Sequence, residues 1–151
     1  MAVPSLPTPL PPEALPISGA TRLFFVVGRP GAQIRAPAVI NPLLALAGID
    51  ARVVPLDVPA DRLMATCRAL LSCHNIGGLL VTVPYKQAVL PLCEVLGAEA
   101  AAAGAVNALR PNADGQVEGD LFDGLGFVRG LQAAGHELRG RRGLLLGAGG
   151  A

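Results

Sequence analysis

Lys86 and Asp123 are the residues of this chain whose types and settings best suit acid/base chemistry. Lys86 follows the apolar run 78–83 (GLLVTV) and Pro84. That order projects it from a loop at a sheet edge, where the sites of α/β proteins form. A lysine there can donate a proton to a carbonyl oxygen as it becomes an alkoxide, and its pKa falls readily on burial. Asp123 stands just before a helical stretch, where a carboxylate can cap the N-terminus. The plainer alternatives are a solvated lysine and an ordinary cap. A second kind of chemistry marks the chain's last residues. The strand-like run 143–146 (GLLL) leads into Gly147-Ala148-Gly149-Gly150-Ala151. A strand entering G-x-G-G is how a dinucleotide-binding βαβ unit opens: small residues let the backbone turn tightly and approach a pyrophosphate, which rests on the next helix's N-terminus. Glycine-rich stretches are commonly plain loops; the preceding strand gives this one its weight.

These residues need a scaffold, and the chain alternates short β-like and helical runs from Thr21 onward. Residues 22–27 (RLFFVV) are continuously apolar, as in a strand covered on both faces. Residues 38–47 read as a helix ending at Gly48, with Pro42 in its first turn. Residues 52–58 form a second strand, and Pro55 argues for an edge position. A helix over 61–71 places Leu63, Met64, Cys67, Leu70 and Leu71 on one core-facing side. Then come a third strand (78–83), helices over 86–96 and 98–103, a short strand near 106–109, a turn at 112–115, a returning strand at 116–119 and a helix over 125–134 closed by Gly135. The fold class is α/β: a mostly parallel sheet flanked by helices, followed by the truncated first strand of a Rossmann domain. The domains read as a Pro-rich disordered lead-in (1–20), an α/β domain (21–120), a connecting helix and linker (121–142) and the start of a dinucleotide domain (143–151). The missing helix after Ala151 reads as truncation, with roughly 100–150 further residues needed for a second domain. By itself the chain is expected to bind no dinucleotide.

Composition narrows the function classes. A net charge of +1 and 3% aromatic residues leave neither a basic stripe nor a stacking platform for nucleic acid. Mean hydropathy is high at +0.51, yet Gly and Pro interrupt the apolar residues before any run reaches the roughly 18 a membrane helix needs. Cys67, Cys73 and Cys93 are odd in number and lack metal-ligand spacing, so they read as buried free thiols, with no disulfide and no metal. The first residues carry no basic-then-apolar leader, and the cytoplasm follows. His74 and His136 have no partners at ligand or triad spacing. Arg139, Arg141 and Arg142 read as a solvated loop.

Several motifs, taken in order, carry a family resemblance. They are Gly28-Arg29-Pro30 with Pro37 and Asn41; Val81-Thr82-Val83-Pro84-Tyr85-Lys86; Gly104-Ala105-Val106-Asn107; Gly119-Asp120 with Asp123-Gly124; and the terminal Leu146–Ala151 stretch. In this order and spacing the chain resembles the shikimate dehydrogenase family over residues 22–151. The resemblance implies a substrate domain joined by helices to a Rossmann domain, with the site in the cleft between them. It implies Lys86 and Asp123 as a catalytic pair, Thr82 and Asn107 as substrate holders, and Gly147, Gly149 and Gly150 at the cofactor. Local turn or strand-edge bonding is the alternative for Thr82 and Asn107. It also implies NADP (or NAD), a small alicyclic substrate such as 3-dehydroshikimate, a place in aromatic amino acid biosynthesis, and a monomer or homodimer.

The departures from the family pattern are specific. The family's Ser-x-Ser-Pro run, whose serines bind a carboxylate, is Ile34-Arg35-Ala36-Pro37 here. Leu80 stands for an Asn, and Leu121-Phe122 for an Asn-Thr. Proton-transfer residues are kept while gripping residues have become apolar, which implies a changed substrate. Arg35 could meet a carboxylate bidentately, or simply be solvated. The reading is therefore a shikimate dehydrogenase-like oxidoreductase of altered specificity. A non-catalytic metabolite-binding module that retained the fold is the alternative.

Overall fold

The computed structural model describes residues 16–144. Its sheet has six strands in the order β2-β1-β3-β5-β6-β4. Strand β1 (Arg22–Gly28) lies between β2 (Ala51–Asp57) and β3 (Ile76–Val81), parallel to both. Beyond β3 the pairing is mixed. Strand β5 (Ala108–Pro111) runs antiparallel to β3, β6 (Val117–Asp120) antiparallel to β5, and the two-residue β4 (Val95–Leu96) parallel to β6. The α/β reading of a mostly parallel sheet holds: three of the five pairings are parallel, and the two made by β5 are antiparallel.

The helices are α1 (Ala36–Leu46), α2 (Leu63–Leu71), α3 (Ala98–Ala103) and α4 (Asp123–Ala133). The core lies on one sheet face, where Val27, Leu79, Val81 and Leu109 meet Leu63, Cys67, Val89, Val106 and Ala100. Met64, Leu70 and Leu71 pack against that cluster, so the apolar stripe of α2 faces inward as its periodicity implied. The buried Tyr85 hydroxyl donates to the Val58 carbonyl at 2.6 Å. On the opposite face, Phe24, Gly77, Leu80, Arg110 and Phe122 line an open hollow of about 440 Å³.

Pro55 does sit on an edge strand, β2. Other expectations are corrected. Pro42 stands inside α1, and it is Pro37 that occupies the first turn. Asn41, just before Pro42, ties the middle of α1 to β2: its amide donates to Val53 O at 2.9 Å and accepts from Val53 N at 2.8 Å. The third strand stops at Val81, and the 61–71 helix opens with a 3-10 turn, Ala60–Arg62. Residues 86–96 form no α-helix. Pro91 lacks an N–H, and after a single α-type bond from Val89 N to Tyr85 O the next ones, Leu90 N to Gln87 O and Leu92 N to Val89 O, are of the 3-10 kind. Residues Leu90–Leu92 make one such turn, and Val95–Leu96 then joins the sheet. The strand expected near 106–109 is β5, two residues later. Of the three free cysteines only Cys67 is buried; Cys73, beyond the end of α2, is exposed. Gly143 and Leu144 belong to no strand. The rest of the 143–146 run and most of the proline-rich lead-in lie outside the described residues.

Candidate active site

The site forms beyond the C-terminal end of β3, where the sheet changes from parallel to antiparallel. Lys86 therefore stands at the end of an interior strand, rather than at the sheet's edge. The loop that carries it is fastened on two sides. Thr82 N donates to Val27 O at 2.9 Å and Arg29 N to Val83 O at 3.1 Å, joining it to the end of β1. Val106 N donates to Lys86 O at 2.8 Å, joining it to the approach to β5. Tyr85, held in the core, fixes the residue next to the lysine.

The Lys86 ammonium donates to Asp123 Oδ2 at 2.7 Å. Its side chain is 12% exposed, against 51% for Asp123, so the ammonium is largely covered while the carboxylate is open to solvent. Asp123 does not cap α4, contrary to the sequence reading. It is the first residue of that helix, the flanking Phe122 makes no side-chain cap, and the carboxylate turns to its two partners. The second partner is Asn107, whose amide donates to Asp123 Oδ1 at 2.8 Å. The Asn107 carbonyl oxygen accepts from Phe122 N at 3.0 Å, and its backbone bonds Asp120 O and Val81 N. One asparagine thus joins β3, the exit of β6 and the start of α4. Because β5 is antiparallel to β3, its entrance meets the exit of β3, which is how residues 86 and 107 become neighbours.

The other expected residues are placed unevenly. Thr82 turns its methyl toward Gly28, where an added Cβ would collide with it; its hydroxyl makes no hydrogen bond to a described residue. Ile34 reaches the same spot, with Cδ1 3.6 Å from where that Cβ would lie. Arg35, just before α1, is exposed and bonds no described residue through its side chain. Gly147, Gly149 and Gly150 lie outside the described residues. Asp57, which sequence reasoning passed over, accepts from Gly31 N at 2.7 Å and steadies the loop after β1. No local pattern marks it, since its partner is 26 residues away. Chemically, the cluster offers a cation that can give up a proton, a carboxylate beside it, and spare donors and an acceptor on Thr82, Asn107 and Lys86.

The family described as shikimate dehydrogenase substrate binding domain matches residues 26–109. The chain belongs to this family. Among curated relatives, the shikimate dehydrogenase (NADP(+)) of Anaeromyxobacter dehalogenans is 44% identical over 137 residues, covering 89% of this chain and 48% of the relative. Among solved structures, an Ael1 enzyme from Pseudomonas putida is 29% identical, with a TM-score of 0.79 over 86% of this chain and 48% of that one. A 5-ketofructose reductase of a Gluconobacter strain is 27% identical, with a TM-score of 0.70 over 75% and 40%. The chain thus spans about half the length of the curated relatives it matches. The substrate-domain match includes Thr82, Lys86 and Asn107, and Asp123 lies beyond its end.

Proposed function

We propose that this chain is the substrate half of an NADP-dependent oxidoreductase of shikimate dehydrogenase type, reducing 3-dehydroshikimate or a related alicyclic ketone reversibly. The observation that carries this reading is the 2.7 Å pair of Lys86 with Asp123, held from its other side by Asn107. The names of the curated relatives support the same chemistry.

In the reduction, Lys86 delivers a proton to the carbonyl oxygen as the carbon gains a hydride, and solvent reprotonates the amine. The nicotinamide, when bound, supplies that hydride. Asp123 orients the ammonium and balances its charge. Thr82 and the free N–H of Asn107 bind substrate hydroxyls. Gly147, Gly149 and Gly150 would receive the cofactor's pyrophosphate, with NADP preferred and NAD the alternative. The protein would work in the cytoplasm as a monomer or homodimer, in aromatic amino acid biosynthesis or a related route. No helix among the described residues is long and apolar enough to cross a membrane.

The test is steady-state reduction of cyclic ketones and keto acids with NADPH by the complete two-domain enzyme, as parent and with Lys86→Ala or Asp123→Asn. Loss of turnover in both variants, with folding retained, is expected. Parent-level turnover in both would overturn the assignment.

A further inference from the structure

The wall of the site formed by the loop after β1 is built for something uncharged. Ile34 is half-buried and its Cδ1 meets the end of β1 beside the Thr82 methyl. Val83, whose carbonyl lies against Gly28, is 44% exposed and adds a further apolar side chain to this loop. The loop's own donors are largely spent: Gly31 N on Asp57, Gln33 N on Pro30 O, and Ile34 N on Gly31 O. Asp57 places a negative charge at the base of this same loop. The cations here, Arg29 and Arg35, are exposed, and a solvated cation on a rim holds a carboxylate only weakly.

The groups left over tell the other half. Among the described residues, Thr82 keeps a free hydroxyl, Asn107 a second N–H, and Lys86 the ammonium hydrogens not taken by Asp123. These suit hydroxyl groups and one carbonyl. A carboxylate set against Ile34 would lose its water and gain at most the Thr82 hydroxyl in return, which is unfavourable.

We infer that the site takes an uncharged polyhydroxylated ketone, and the matching alcohol, in preference to a carboxylate-bearing ring. This rests on the redox reading above for the roles of Lys86 and Asp123. Ile34 then sets the specificity by presenting hydrocarbon beside Thr82 at the end of β1.

The experiment is a titration of the ¹⁵N-labelled chain with two probes that share one ring, shikimate and shikimyl alcohol, in which hydroxymethyl replaces the carboxylate. The amide signals of Thr82, Lys86 and Asn107 report binding independently of cofactor. The alcohol should move them at a concentration lower by at least about tenfold, and Ile34→Ser should narrow that gap. Equal or tighter binding of shikimate by the parent chain overturns the substrate class and leaves the redox site standing. Silence of all three signals with both probes overturns the site reading as well.

Discussion

Lys86 does its proposed work through geometry that a single substitution can remove. Lys86→Ala should lower kcat by about 10²–10⁴, the usual contribution of a positioned acid/base group. The melting temperature should change little, because Asp123 is 51% exposed and regains water when the ammonium goes; stopped-flow and calorimetry would separate the two. The lysine and aspartate were legible in the sequence because each follows a local signal, a strand stop or a helix start. The hold of Asn107 on Asp123 was not, since it spans 16 residues and depends on the turn in strand direction. The cysteines show the same divide. Burial pushes the Cys67 thiol up from its ordinary 9.0 to about 11, while Cys73 is exposed. Iodoacetamide at neutral pH should therefore modify Cys73 and spare Cys67, as peptide mass mapping would show. The sign of the pH effect on stability follows. Between pH 9 and about 11 an unfolded chain has released the Cys67 proton that the folded chain keeps. That group's contribution is complete below 9 and declines as pH rises through this window.

Elements were legible where propensity and periodicity agreed. The span of α3 was read in full from its alanine run, and its stop is explained by Gly104 at φ 64°, a left-handed cap. Gly104→Ala should cost about 1–2 kcal/mol in a chemical denaturation experiment, since a Cβ is strained there whatever the space around it. The stretch 86–96 misled because Tyr85, Val89 and Leu92, all buried, are spaced three and four apart. That spacing suits one turn of either helix type, and Pro91 decides against the longer one. Tyr85→Phe tests how firmly this stretch is seated. It leaves the Val58 carbonyl without its 2.6 Å donor and should destabilise the fold by about 1–3 kcal/mol, read by urea denaturation.

For the whole molecule, the class was legible and the strand order was not. Alternating strand and helix signals imply α/β, but nothing local states that β5 enters beside β3 or that β6 separates it from β4. The exposed apolar side chains belong to this scale too. Val39, Leu43 and Leu46 on α1, and Leu125, Phe127 and Val128 on α4, all face solvent in the 16–144 structure. Clustered apolar surface of this kind binds hydrophobic dyes and favours association. The chain should enhance anilinonaphthalene sulfonate fluorescence, and Leu43→Lys with Phe127→Lys should reduce that signal without lowering the melting temperature. An unchanged signal would place the dye elsewhere.

The start of α4 is fixed by polar bonds. No residue of the helix is buried, while Asp123 bonds Lys86 and Asn107, and Phe122 N bonds Asn107. A helix tethered at one end in this way behaves as a pointer whose steadiness reports the state of its pivot. Amide hydrogen exchange along residues 123–133 should quicken in Lys86→Ala while β1 and β3 keep their protection. A ligand that draws Lys86 away from Asp123 would loosen the same pivot. Occupancy of the site would then be readable in the backbone motion of a helix that need not touch the ligand.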